Sequence, residues 1–288
     1  MNARDSLEFH ALKRQAGLQM HIAQARHEES HKFLLLQAAG ESDRARLHAA
    51  AAPGSGLFLL ARPAGQCKMS DRELSLALRL RLGLPPAQFL PSHCKVCNGA
   101  DGDLGLDPWH ALSCSHLRAL SHTQRHDAIA STLHRWCRER GAESKWQPRN
   151  IDKDADLIPD LEVTWGAHRF LVDVSIRHPA ARSNVARGST GQLKVASQAA
   201  REKVRKYEEL AAGSRAEFVP FVLESFGGWC TEAADFVRRL TKMARIDDPT
   251  WDTNELLSDL RVAISVTLQK WNAHATFKSI AASGLAGL

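Results

Sequence analysis

The stretch at residues 157–179, LIPDLEVTWGAHRFLVDVSIRHP, constrains this chain more than any other. Two runs rich in Val, Ile, Phe and Trp flank a short Gly-Ala-His turn, the pattern of a hairpin whose strands are largely buried. Each run carries an acid, Asp160 near the start of the first strand and Asp173 in the middle of the second. An ionised carboxylate in such apolar company is costly unless something pairs with it. The rest of the sequence therefore has to supply the compensation.

Strand alternation sets Asp173 and Ser175 on one face, opposite Val172, Val174 and Ile176, and sets Asp160 with Glu162 opposite Leu161 and Val163. Asp160 and Asp173, thirteen positions apart across the turn, can then face each other on adjacent strands. Like charges so close raise each other's pKa unless a divalent cation lies between them, and hard oxygen donors suit Mg2+. Such a site is built for phosphodiester hydrolysis. The following segment, QLKVASQAAREKVRKY, places Ala196, Ala200, Lys203 and Tyr207 on one helical stripe, so the ammonium and the phenol face the sheet together. Lys203 would orient the attacking water or neutralise developing charge, with Lys194 and Lys206 as competing choices. On the residues alone a plainer reading stands beside this one: Asp160 caps a turn after Pro159, and Asp173 pairs with Arg177 or another arginine.

Cys94-x2-Cys97-x12-His110-x3-Cys114 is the strongest local motif. Two thiolates two residues apart fit a tight knuckle, while His110 and Cys114, one helical turn apart, can point at the same ion, and Zn2+ suits that tetrahedral set. The loop NGADGDLGLD between them has too few apolar residues to hold a shape without metal, so a structural zinc is expected to supply folding energy. His93 and His116 fit the tetrahedron less well, and Cys67, Cys137 and Cys230 read as core or surface thiols.

Residues 1–69 read as a helical or partly disordered polar segment, with HAAAAPGSG at 48–56 as a linker. Residues 70–124 hold a helix, from a Ser-Asp cap to Gly83, and then the knuckle. Residues 125–248 follow the order helix, three strands, helix, strand, helix, and 249–288 form a C-terminal helix. No apolar run is long enough for a membrane span, and the first fifteen residues lack the apolar core of a signal peptide, so the expected location is cytosolic or nuclear. A net charge of +6 points towards polyanionic partners.

Pro159-Asp160 on one strand and Asp173-Val174-Ser175 on the next, inside that α/β order, resemble the PD-(D/E)XK nuclease core, with Ser175 standing where the general pattern has lysine. The closer resemblance is to the C-terminal part of site-specific non-LTR retrotransposon proteins, where a CCHC zinc knuckle precedes a restriction-like endonuclease. The matching pieces are Cys94, Cys97, His110 and Cys114, then Arg125-His126-Asp127, Pro159-Asp160, Asp173-Val174 and the segment from Lys203 to Tyr207.

This resemblance implies a restriction-like fold with helical flanks, and a nuclear enzyme that nicks DNA in a Mg2+-dependent reaction. Asp160 and Asp173 would hold the metal, and Lys203, with Tyr207 or Glu162, would support them. Arg125, His126 and Asp127 would help position DNA or brace the core. The chain has no Tyr-x-Asp-Asp box, so the likeness excludes the reverse transcriptase. A catalytically silent zinc and nucleic-acid-binding relic is the alternative.

Between residues 177 and 206 there are eight Lys or Arg against one acid, Glu202. Arg177, Arg182, Arg187, Lys194 and Lys206 are accordingly expected to contact the phosphate backbone of DNA, or of the element's RNA.

Overall fold

The computed structural model of the chain describes residues 3–99, 102–149, 151 and 157–284. Among them lie eight α-helices and one mixed four-stranded sheet, a mixed α/β architecture. The helices are α1 (Ala3–Leu36), α2 (Glu41–Ala50), α3 (Asp71–Leu82), α4 (Thr123–Glu139), the single turn α5 (Val185–Gly188), α6 (Lys194–Ser214), α7 (Thr231–Asp247) and α8 (Thr253–Ala282). The strands are β1 (Glu143–Trp146), β2 (Leu161–Trp165), β3 (His168–Arg177) and β4 (Glu217–Glu224). No described helix is long and apolar enough to cross a membrane.

The hairpin forms as the alternation requires. β2 and β3 pair antiparallel with Trp165 opposite His168, and Gly166 takes the left-handed backbone (φ 56°) that the tight turn demands. β1 adds antiparallel to β2, and β4 adds parallel to β3 after the α6 crossover. Leu161, Val163, Phe170, Val172 and Val174 sink into the main core with Ile129 and Leu133 of α4, Phe236 of α7 and Ile264 of α8. On the opposite face Leu171 packs with Tyr207 and Leu210 of α6. α6 is thereby laid over the acid-bearing face, each such buried side chain contributing about 1.5–3 kcal/mol.

Helix ends follow their signals. Ser70 and Glu73 form a reciprocal capping box at the start of α3, and Gly83 ends it in the left-handed conformation. α6 lacks a side-chain cap from its own entry residue. Instead Glu224, at the far end of β4, accepts the Ala196 N–H at 3.1 Å. Burial pushes that carboxyl up to about 7, against the hydrogen bonds from Ala196 and Val195 that favour its charge.

The compact units do not follow the segments read from the sequence. The chain divides into residues 1–40 and 41–288, and the second unit runs across the sequence-read boundaries at 69, 124 and 248. In the first unit α1 carries no apolar stripe and residues 19–36 are largely exposed, a helix made by Ala, Leu, Gln, Glu and Arg propensity. In the second, the 48–56 segment is no linker. Ala49, Ala52 and Ser55 are buried, and Gly54 sits so close to Trp229 that a Cβ would lie 2.9 Å from its ring. Small residues there permit a close approach that composition alone reads as flexibility. α8, likewise, is no flank: Leu260, Ile264 and Leu268 lie in the main core, and Ala273 and Ala275 lie in a second cluster with Leu76 and Leu80 of α3.

Candidate active site and metal centre

Leu161 pairs with Val172, so one further step of the antiparallel register sets Asp160 opposite Asp173. Both carboxylates are mostly covered, and the protein supplies their compensation. Asp160 Oδ2 accepts the backbone N–H of Val174 at 2.7 Å and lies 2.9 Å from Nε2 of His126. Asp173 Oδ1 accepts the Tyr207 hydroxyl at 2.6 Å, and Oδ2 pairs with the Lys203 ammonium. The Tyr207 oxygen also lies 3.3 Å from the Ile158 carbonyl, which ties α6 to the approach to β2.

The stripe read along α6 is therefore correct in its geometry: Lys203 and Tyr207 both reach Asp173. Lys194 and Lys206 are exposed, with the Lys206 ammonium 5.6 Å from the Tyr207 ring centre. Burial, and then the hydrogen bond and charge of Asp173, push the Tyr207 phenol above its ordinary pKa, so it stays a proton donor. His126 is caught between Asp160 and Asp127, its Nδ1 2.9 Å from the latter. Burial opposes its charge, yet the hydrogen bonds and charges of the two acids outweigh it and raise the imidazole to about 9. It donates from both ring nitrogens as a cation.

Three residues have partners in the fold that bear on their assigned roles. Glu162 shares the face of the aspartates, but its carboxylate is held by Arg169 Nε at 2.6 Å, with Lys145 3.8 Å away, so it is drawn off along the strand. Arg125 braces the core, one of the two roles its place in the sequence allows. It is 3% exposed, and its terminal nitrogens donate to Asn272 Oδ1 (2.8 Å) and the Leu112 carbonyl (3.1 Å), while burial lowers its pKa to about 10. His126 is spent on Asp160 rather than left for a nucleic-acid phosphate.

Beside Asp160 opens a cleft of about 630 Å³, whose lining includes His126, Gln147 and Val174. Its basic and imidazole lining is Arg118, His122, Arg125, His126, Arg177 and His178, against one acid, Asp127. A second hollow of about 460 Å³ shares Ser113, Ser115, Ala181 and Ser183 with it and extends to Arg182, Cys97 and His110. Arg177, Arg182 and Arg187 are exposed along this side of the sheet end.

The metal motif assembles as its spacing requires. Donor atoms of Cys94, Cys97, His110 and Cys114 all lie within 4.8 Å of one another, and the group can hold a metal ion such as zinc. Zn–S bonds of about 2.3 Å place tetrahedral ligands roughly 3.8 Å apart, inside that envelope. Asn98 turns the knuckle with φ 47°, and the Cys94 N–H donates to the Gly102 carbonyl at 2.7 Å. At Gly102 a Cβ would crowd Cys94 Cβ and Cys97 Sγ, each at 3.0 Å. The thiols are unlike one another. Burial pushes Cys114 up to about 12. At Cys94 the same burial is outweighed by hydrogen bonds from the Cys97 and Val96 amides and from neighbouring thiols, so its pKa falls. His93 and His116 stay outside the group.

Sequence reasoning missed two residues, His178 and Glu224, a lone His and Glu at strand ends that carried no signal. It named His126 but not its bond to Asp160. No family model matches this sequence, and no curated protein matches it.

Proposed function

We propose that this chain is a Mg2+-dependent DNA endonuclease of the PD-(D/E)XK type, akin to the downstream part of a non-LTR retrotransposon protein and acting in the nucleus. One observation carries the reading: β2 and β3 set two acids opposite each other, with Lys203 reaching in from the next helix. A lysine on the helix takes the place left by Ser175. Two hard carboxylates beside a basic cleft fit Mg2+, and Asp160 and Asp173 would hold it. Bound there, the ion supplies phosphate polarisation and a water of lowered pKa.

The chain's own groups do the rest. Lys203 neutralises charge developing on the phosphate, and Tyr207 fixes the aim of Asp173 from a hydroxyl that keeps its proton. His126 and the Val174 N–H orient Asp160. Arg118, Arg177 and Arg182 seat the phosphate backbone along the cleft, a contact that weakens as salt rises.

Supercoiled plasmid is expected to be nicked by the wild type with Mg2+, and Asp173→Ala is expected to lose that activity at least 100-fold. Undiminished nicking by Asp173→Ala contradicts the mechanism. A second reading, a silent nucleic-acid-binding relic, draws on the fact that His126, Lys203, Tyr207 and the Val174 amide already engage the acids. Salt-sensitive DNA binding with no Mg2+-dependent cleavage by the wild type selects it.

A further inference from the structure

The segment carrying the last two metal ligands is gripped on both sides of His110. Before it, Asp107 Oδ1 accepts the Trp109 N–H at 3.0 Å and lies 3.4 Å from His178 Nε2. After it, the Leu112 carbonyl accepts from Arg125 at 3.1 Å. These two grips are joined through the core. His178 Nδ1 lies 2.7 Å from Ser225 Oγ, and its ring stacks on Phe226 at 5.9 Å. The Ser225 carbonyl accepts from Asn272 at 2.7 Å, and Asn272 Oδ1 in turn accepts from Arg125 at 2.8 Å. The result is a closed ring: Asp107, His178, Ser225, Asn272, Arg125, Leu112.

An ionised Asp107 can only accept, so Nε2 carries the imidazole proton towards it and Nδ1 accepts from the Ser225 hydroxyl. The Ser-His-Asp order does not make a hydrolase. Ser225 is 0% exposed, so no substrate reaches its oxygen. The ring's position matters instead. Arg125 directly precedes His126, which holds Asp160. His178 directly follows β3, the strand of Asp173 and of the Val174 amide, and the Ser225 N–H donates to the Arg177 carbonyl at 2.8 Å, fastening β4 to that strand end. A buried, interconnected polar network of this kind rigidifies what it joins.

We propose that His178 is a positioning residue: by holding Asp107 on one side and Ser225 on the other, it couples the occupied Cys3His centre to the alignment of Asp160 and Asp173. The proposal rests on the nuclease reading for its second half only. Zinc bound at the knuckle fixes Asp107, and the ring passes that order to both segments that orient the acids.

The test uses the full chain and two readouts. Zinc affinity is measured by competition with a chromophoric chelator, and nicking is measured with Mg2+. Asp107→Ala lies in the loop and leaves the His178–Phe226 stack intact, so it guards against a folding defect in His178→Ala. Each variant is expected to hold zinc about 10-fold more weakly, as loss of an outer-shell partner does. The double variant should be no worse than the weaker single one, since both remove one contact. Nicking turnover should fall while the half-saturating DNA concentration stays put, and His178→Gln, which keeps an amide donor, should recover part of both losses.

Wild-type zinc affinity in both single variants overturns the proposal, as do additive losses in the double variant. Weakened zinc with unchanged turnover overturns the coupling. Absence of nicking by the wild type counts against the nuclease reading, while the zinc competition still decides whether the ring supports the metal centre.

Discussion

The Cys94–Cys114 loop and the Asp160–Asp173 site are both clusters of potential anions, and they meet that charge in opposite ways. The aspartates receive protein cations: His126 on one, Lys203 on the other, with a phenol and an amide filling further hydrogen-bond positions. Around the cysteines the described residues offer the other thiols, His110 and backbone amides. Cys94 shifts towards thiolate while Cys114 is driven away from it, a split that a bound dication resolves by stabilising every thiolate at once. One region thus carries compensating cations on its own chain, and the other offers a donor set that a metal ion can fill. A small satellite core of Leu104, Ala111 and Leu117 surrounds Cys94 and Cys114, with Leu90 and Val96 packed against it.

The largest effect should come from breaking that contrast at the zinc end. Stripping zinc with a strong chelator is expected to unfold residues around 90–118, seen as fast amide exchange confined to that segment, with several kcal/mol of stability lost. Removing Mg2+ alone should leave amide exchange in that segment unchanged. Unaltered exchange in the stripped loop contradicts the comparison.

Next in size is the aspartate end. Lys203→Met leaves Asp173 mostly buried beside Tyr207 without its cation, and unfolding in urea should show a loss of about 3 kcal/mol. If Mg2+ restores much of that loss, the metal substitutes for the ammonium, which sharpens the proposed role of both. No loss at all contradicts the charge compensation described here.

A smaller effect is set by pH. His126 is raised from 6.5 to about 9 in the folded chain, so its pairing stabilises fully below about pH 6.5 and fades as pH climbs through about 9. Unfolding free energies from urea titrations across that window are expected to fall in the wild type by on the order of 2 kcal/mol more than in His126→Gln. Parallel curves for the two proteins would remove His126 as the compensating cation.

Legibility in the sequence followed how local each signal was. The Cys-His spacing and the Ser70 helix cap are closed within a few turns of chain, and both form as read. The hairpin and the Lys203–Tyr207 stripe were legible because periods of 2 and 3.6 fix which side chains share a face. What failed was everything decided by distant packing. Arg125 reads equally as a DNA contact or a brace for the core, and only α8, some 147 positions away, supplies the Asn272 that decides for the second. Glu162 has the right face but a stronger claim from Arg169, a diagonal neighbour across the hairpin. The buried 48–56 segment depends on Trp229, far along the chain. His178 and Glu224 owe their burial to helices and strand ends that no local pattern announces.

The central claim is that two neighbouring strands bring Asp160 and Asp173 to one shared cation. Titrating the zinc-loaded full chain with Mn2+ and counting bound ions by electron paramagnetic resonance tests it most directly. One Mn2+ per chain, lost on changing Asp160→Asn and lost equally on changing Asp173→Asn, is the expected result. Binding that survives both substitutions, or the absence of any bound Mn2+ in the wild type, contradicts the claim.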